Sequence, residues 1–304
     1  MCGNNVKKII VTGATGFLGS NLIEELIDQD GYYVYAFSSR GDELQKDNKS
    51  GNVHFFHKDS LFSEDLSEIL KDAFIINCAF PRNSTGTGMA DGLRYIHNVF
   101  SISRTAGAKA IVNISSQSVY SQKRNELATE MTQVCLESPY AVGKFATELM
   151  LEDACRGTKM VYTNLRMASL IGPGFDQRIV NRLTKQALEG EAILVVRSNQ
   201  HFGFLDIEDA VRAILALINT STNTWKPIYN VGNGKEYSIE DIVKCISYVF
   251  NENNLNAPKI CIKEGDGYGS TGVSYQSLNC DTGYKPEIML EDSVRQILYY
   301  LQVK

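Results

Sequence analysis

The sequence predicts an α/β fold, a doubly wound parallel sheet with a smaller C-terminal α+β lobe after it. Three observations carry this expectation. Strand-type and helix-type runs alternate from residue 8 to about residue 172. Gly13, Gly16 and Gly19 fall between the first strand-type run and the first helix-type run. Beyond Gly172 the alternation breaks, and helices mix with short strands.

Residues 8–12 form an apolar run ending in a turn signal, as a buried strand does. Residues 17–30 read as a helix, with Leu18, Leu22, Ile23, Leu26 and Ile27 on one face and Gly31 as the stop. Aromatic and β-branched runs at 32–37, 53–56 and 74–78 read as the next strands, with a short helix at 66–71. A helix at 93–106 leads to a fifth strand at 110–115. A long helix spans 139–155, with Ser138 as N-cap and Pro139 at the first helical position. Residues 159–166 form the sixth strand. Helices at 177–189, 208–219 and 239–250 follow, punctuated by turns at Gly172-Pro173-Gly174, Gly232-Asn233-Gly234 and Gly265-Asp266-Gly267. The expected division is a dinucleotide-binding domain at 1–172 and a mainly substrate-binding lobe at 173–304, packed over the end of the sheet and not folding independently.

Composition narrows the function classes. Hydrophobic residues make up 43% of the 304, enough for a large core. A formal net charge of -5 without a cationic run offers no footprint for nucleic acid or anionic lipid. No stretch of about 18 apolar residues is present, so no membrane partner is expected. The N-terminus lacks a leader pattern. Seven cysteines without zinc-type spacing, and four scattered histidines, suggest free thiols, no metal site and a cytoplasmic location.

The glycines lie where a tight turn must bring backbone close to a pyrophosphate. The helix that follows offers free N–H groups and the positive end of its dipole. Their G-x-x-G-x-x-G spacing resembles that of the extended short-chain dehydrogenase/reductase family, in its nucleotide-sugar epimerase, dehydratase and reductase branch. The resemblance covers nearly the whole chain and implies a Rossmann-type sheet. It implies cofactor contacts from Gly13, Thr15, Gly16, Phe17, Leu18 and Gly19, from Asp59 (to the adenine amine) and Ser60, and from Ala79, Phe80, Pro81 and Ala168.

The segment Phe37-Ser38-Ser39-Arg40 ends the second strand without the acid that would bind a ribose 2′-hydroxyl. Two hydroxyls and a guanidinium suit a phosphate ester, so NADP(H) is favoured over NAD(H) through Ser38, Ser39 and Arg40.

Tyr140 and Lys144 share a helix face at i and i+4. A nearby ammonium lowers the pKa of a phenol and fits it for acid/base work. Ser116, at a strand end, can hydrogen-bond a substrate oxygen. The family uses this Tyr, Lys and Ser in those roles, which makes Ser116, Tyr140 and Lys144 the catalytic candidates, with Tyr140 and Lys144 also touching the cofactor. The serine assignment follows Ser115-Ser116-Gln117-Ser118-Val119-Tyr120, similar to the family's S-S-x-x-V-Y; Ser115 and Ser118 are the fallback.

Gln117 and Ser118 occupy the positions of the family dehydratases' acid pair, which disfavours dehydration. Ser118 also replaces a cysteine used in 3,5-epimerisation. The expected activity is an NAD(P)-dependent nucleotide-sugar epimerase acting at a sugar carbinol carbon, C4. The alternatives are an NADPH-dependent reductase of a nucleotide-activated 4-keto sugar or other ketone, and a non-catalytic NADP-binding sensor. Arg82, Ser118 and Ser169 are the substrate candidates. Ser169 and Ile171 replace an asparagine and a tyrosine of the family pattern. The segment Gln200-His201-Phe202 lacks the expected arginine, for which Arg178, Arg182 and Arg197 are the available substitutes. The resemblance also implies a homodimer through the helices at 93–106 and 139–155.

Overall fold

The structure, a computed structural model, describes residues 6–82 and 85–304, apart from the Asp65 side chain. In chain order the first elements are β1 (Lys7–Thr12), α1 (Phe17–Leu26), β2 (Tyr32–Ser38), α2 (Gly41–Asp47) and β3 (Val53–His57). Next come α3 (Ser67–Leu70), β4 (Phe74–Asn77), α4 (Gly86–Thr105), β5 (Ala110–Ser116), α5 (Pro139–Cys155) and β6 (Val161–Met167). The chain continues through β7 (Ser169–Ile171), α6 (Ile179–Leu188), β8 (Ile193–His201), β9 (Phe204–Asp206) and α7 (Ile207–Ile218). It ends with β10 (Ile228–Val231), α8 (Ile239–Glu252), β11 (Ile260–Ser270), α9 (Gln276–Thr282) and α10 (Leu290–Val303).

Seven strands form one sheet in the order β10-β6-β5-β4-β1-β2-β3. The β1–β2, β2–β3, β1–β4 and β4–β5 pairs are parallel. The chain winds outward from β1 to β3, then returns to place β4 on the other side of β1. That reversal is the doubly wound switch point, where such sheets open a crevice at the strand ends.

The chain divides into two compact units. One comprises residues 1–119, 136–166 and 217–229; the other comprises 120–135, 167–216 and 230–304. In the first unit, Ile10, Ile75 and Ile111 on adjacent strands pack with Val99 and Phe100 of α4 and Leu151 of α5. Period-two alternation turns Ile9 and Val11, both fully buried, to the opposite face. A polar thread crosses the same strands. Thr12 Oγ1 donates to Asn77 Oδ1 at 2.7 Å, and Asn77 Nδ2 to Asn113 Oδ1 at 2.9 Å. Asn113 Nδ2 then donates to Asn164 Oδ1 at 2.9 Å and to Thr147 Oγ1 of α5 at 3.1 Å.

The second unit buries Val180 and Leu183 of α6, Ile193 of β8, Ile246 and Val249 of α8, and Val294 and Ile297 of α10 in one core. Helix α8 starts at a capping box in which Ser238 and Asp241 satisfy each other's backbone N–H groups. Strands β8 and β11 pair in parallel, as do β7 and β9.

Two local expectations are corrected, and one helix is added. Helix α1 stops at Leu26 rather than Asp30. The Asn52 side chain takes over there: Nδ2 donates to the Leu26, Gln29 and Tyr32 carbonyls, while Oδ1 accepts from the Asp28 N–H. Asp28 adopts a left-handed conformation that ends the helix. Gly265-Asp266-Gly267 is no chain reversal but lies inside β11, where the pairing register shifts between Glu264 and Tyr268. Helix α2, unforeseen, begins at Gly41, where a Cβ would sit 1.8 Å from the Phe56 carbonyl oxygen.

Candidate active site

The loop between β1 and α1 is shaped by two glycines with different tasks. Gly13 has φ +69°, and a Cβ there would lie 2.6 Å from the Ala79 nitrogen at the end of β4. Gly19 is buried inside the first turn of α1, and a Cβ there would lie 2.3 Å from the Gly13 carbonyl oxygen. Gly16 is the N-cap residue, and its N–H donates to the Gly13 carbonyl at 2.9 Å. No side chain caps this helix end and no acid occupies its first turn. The positive end of the helix dipole therefore meets no acidic side chain of its own first turn, the arrangement that takes a phosphate.

A cavity of about 360 Å³ opens at the strand ends. Its wall includes Gly13, Thr15, Ser38, Ser39, Ala79, Phe80 and Pro81, seven of the residues expected to meet a cofactor. Gly16, Phe17, Leu18 and Gly19, at the helix start, are not part of the wall. Arg40 is exposed and is not part of the wall. Asp59 and Ser60 lie in the 3₁₀ turn after β3, with the Asp59 side chain 62% exposed. The wall also contains Lys58, Asp91, Gly92, Tyr95 and Ile96, which sequence reasoning missed. Gly92 carried a signal: a glycine inside a long helix marks close packing. A Cβ there would sit 2.3 Å from the Pro81 ring.

The proton-transfer candidates lie on β5 and α5. Ser138 caps α5, its hydroxyl accepting from the Ala141 N–H at 3.1 Å, and Pro139 occupies the first turn. This fixes Tyr140 at the helix start and Lys144 one turn on. Lys144 Nζ donates to the Ile114 carbonyl of β5 at 2.7 Å. The Phe80 ring packs edge-on to Tyr140, with centres 5.3 Å apart. Burial pushes the Lys144 ammonium down to about 7, against a partly restoring Cys78 and with a further push from Arg82. Ser116 is 8% exposed, and its Oγ donates to Ser118 Oγ at 3.0 Å. It also accepts from the Ser118 N–H at 3.1 Å.

One turn beyond Lys144, Glu148 makes a buried ion pair with Arg166 of β6. Arg166 Nη2 donates to Glu148 Oε2 at 2.6 Å and Nε to Oε1 at 3.0 Å. Ser115 donates to the same Oε1. Ser115, one of the two fallback serines, thus ties α5 to the sheet, while Ser116 sits at the strand end.

Arg82 follows Pro81 in a turn, and its N–H donates to the Phe80 carbonyl at 2.9 Å. Ala168 and Ser169 belong to the second unit, where the Ala168 N–H donates to the Val231 carbonyl at 2.8 Å. Arg197, a proposed stand-in for the missing arginine, is engaged by Glu240 and Glu264 at 2.7 and 2.8 Å. Among the described residues, no group of three or more His, Cys, Asp or Glu could hold a metal ion. Among those residues, no helix is long and apolar enough to cross a membrane.

A family model of NAD-dependent epimerases and dehydratases matches residues 9–232, from β1 to the end of β10. The chain belongs to this family. An uncharacterised UDP-glucose epimerase of Bacillus subtilis, YtcB, is 25% identical over 97% of this chain and 98% of its own. A UDP-glucuronic acid 4-epimerase of Bacillus cereus, solved with UDP-glucuronic acid and NAD, superposes with TM-score 0.82 at 22% identity, covering 97% of this chain and 99% of its own. RMD of Pseudomonas aeruginosa, solved with NADPH, superposes with TM-score 0.75 at 22% identity, covering 98% and 99%. As a family member the chain is an NAD(P)-dependent enzyme with a Rossmann-type sheet, and the residues present fit the cofactor. Helix α1 starts without a side-chain cap or an acid in its first turn, and the buried Tyr95 hydroxyl in the cavity wall has no hydrogen-bond partner.

Proposed function

We propose that this enzyme is a nucleotide-sugar 4-epimerase. The observation that carries the reading is Phe80, which lines the nucleotide cavity and also packs against both Tyr140 and Lys144. That ring makes the nucleotide cavity and the proton-transfer set neighbours. The nicotinamide, when bound, supplies the acceptor and donor of hydride. Tyr140 takes the proton of the C4 hydroxyl as the carbon is oxidised to the ketone, and returns it after the sugar presents its other face. Lys144 stabilises the phenolate by charge, and the Ser116 hydroxyl turns from Ser118 to donate a hydrogen bond to the C4 oxygen. Arg82, Ser118 and Ser169 are the proposed substrate contacts. The relatives' UDP-sugars make a nucleoside diphosphate sugar the proposed substrate class.

The NADP(H) preference belongs to this reading. Ser38, 4% exposed, offers a hydroxyl at the end of β2 where a carboxylate would repel a 2′-phosphate. That same observation favours a second reading, net reduction of a 4-keto sugar by NADPH. Stoichiometry separates the two. Incubation with UDP-sugar pairs and a trace of dinucleotide, followed by NMR, is expected to show C4 isomers interconverting without net cofactor change. NADPH loss matched one for one by keto-sugar consumption would overturn the epimerase in favour of the reductase.

A homodimer through α4 and α5 is also part of the proposal. Val142 and Leu149 of α5 are 50% and 52% exposed, which supports a partner on that face. Sedimentation of a monomer alone would remove it.

A further inference from the structure

The nucleotide cavity holds a cation that has no place in the reading above. Lys58 opens the 3₁₀ turn after β3 and lines the same wall as Ser38 and Ser39. The parallel register pairs Ser38 with His57. The residue after each, Ser39 and Lys58, therefore leaves the sheet side by side, on strands about 4.8 Å apart. Arg40, one residue further, is exposed and outside the wall.

Two further observations mark the spot around Lys58. Its Nζ lies 3.3 Å from Asp59 Oδ1, with the two side chains 44% and 62% exposed. An ion pair so open to water is weak and holds the ammonium loosely. The same Nζ lies 5.3 Å from the centre of the Tyr95 ring, and the Tyr95 hydroxyl is buried without a hydrogen-bond partner. Buried donors are nearly always satisfied, so this one points to an acceptor brought by a ligand. Ser38 Oγ accepts from the Arg40 N–H at 3.2 Å, which leaves its own proton to donate.

We propose that Lys58, rather than Arg40, reads the adenosine 2′ position. Its ammonium receives a 2′-phosphate monoester against the Ser38 and Ser39 hydroxyls, with the Tyr95 hydroxyl as a buried donor beside it. The assignment rests on the NADP(H) preference proposed above, and the test is arranged so that the two can fail separately.

Titration of NADPH and NADH into the wild-type protein and the K58M, K58R and R40Q variants measures it, with circular dichroism confirming the fold of each. The wild type is expected to bind NADPH more tightly than NADH, and less so as salt is raised. K58M is expected to lose about tenfold or more in NADPH affinity, the worth of one charge-assisted hydrogen bond, with NADH unchanged. K58R is expected to keep most of the preference. A wild type that binds the two dinucleotides equally overturns the NADP(H) reading and the Lys58 role together. A preference present in the wild type, kept in K58M and lost in R40Q overturns the Lys58 role alone. Equal loss of both dinucleotides in a folded K58M also overturns it, since a reader of the 2′ position must discriminate.

Discussion

The Lys144 ammonium lies 4.1 Å from the centre of the Phe80 ring. A cation over an aromatic face is held electrostatically, and more so where water is excluded. The 2.7 Å bond to the Ile114 carbonyl takes a second side of the ammonium. Burial still dominates, which is why the group sits at about 7. In the free enzyme a modest gain of negative charge nearby suffices to keep it protonated.

Replacing Tyr140 by Phe removes one oxygen and leaves the ring that packs on Phe80. Turnover is expected to fall by about 10²- to 10⁴-fold or below detection, the range of a lost acid/base group. Dinucleotide affinity, read by fluorescence titration, is expected to stay within about twofold, well under the cost of a lost hydrogen bond. A variant with the parental rate would remove Tyr140 from the mechanism.

Lys144 should also leave a trace in stability. Unfolded, it titrates at 10.5; folded, at about 7. Between those values the unfolded chain binds more protons, so stability rises with pH. The cost of the buried charge is complete below about pH 7 and gone above about 10.5. Lys144→Met abolishes it. The melting temperature of the variant minus that of the parent, without cofactor, is expected to be largest at pH 6, on the order of 5 °C. That difference should shrink steadily toward pH 10. A difference that does not change with pH would show that the lysine is not buried as a charge.

The Glu148–Arg166 pair is 4% and 3% exposed. Removing the carboxylate takes the buried counter-charge from Arg166, so Glu148→Ala is expected to cost about 3–5 kcal/mol in urea unfolding. The double variant Glu148→Leu, Arg166→Met strands neither charge and is expected to recover most of that loss. Equal losses in the single and double variants would contradict the ion-pair account.

Alanine substitutions in the glycine loop should separate by geometry. At Gly16 a Cβ would meet the Gly13 oxygen at 3.2 Å, which a small shift relieves. At Gly19 the same oxygen would be 2.3 Å away. Gly19→Ala is expected to destabilise by about 3 kcal/mol, the upper range of overpacking, and to weaken dinucleotide binding sharply. Gly16→Ala should cost under about 1 kcal/mol, as an unstrained cap residue does. Thermal melts with and without dinucleotide would read both effects.

The glycine loop and α5 were legible because local chemistry specifies them. Pro139 can start a helix but not continue one backward, and Ser138 supplies the cap. The end of α1 was not legible, because the residue that terminates it, Asn52, is 26 positions from Leu26. Lys58 and Tyr95 escaped notice for a similar reason: only the β2–β3 register and the packing of α4 bring them to one cavity. The glycines of β11 looked like a turn, but a parallel partner holds that segment extended through a bulge.

The asparagines that cross the sheet serve as an address. Buried parallel strands rich in isoleucine and valine offer little to tell one neighbour or one offset from another. A side-chain amide is more exacting. Asn77 lies level with Thr12 on one side and with Asn113 on the other, and all three are buried. A slip of a single residue would turn such a group to the opposite face and leave its partners dry and unbonded. Swapping two strands would do the same. The order β1-β4-β5-β6 satisfies the whole chain of amides together, so the polar core encodes which strand sits where, and the apolar core supplies the attraction.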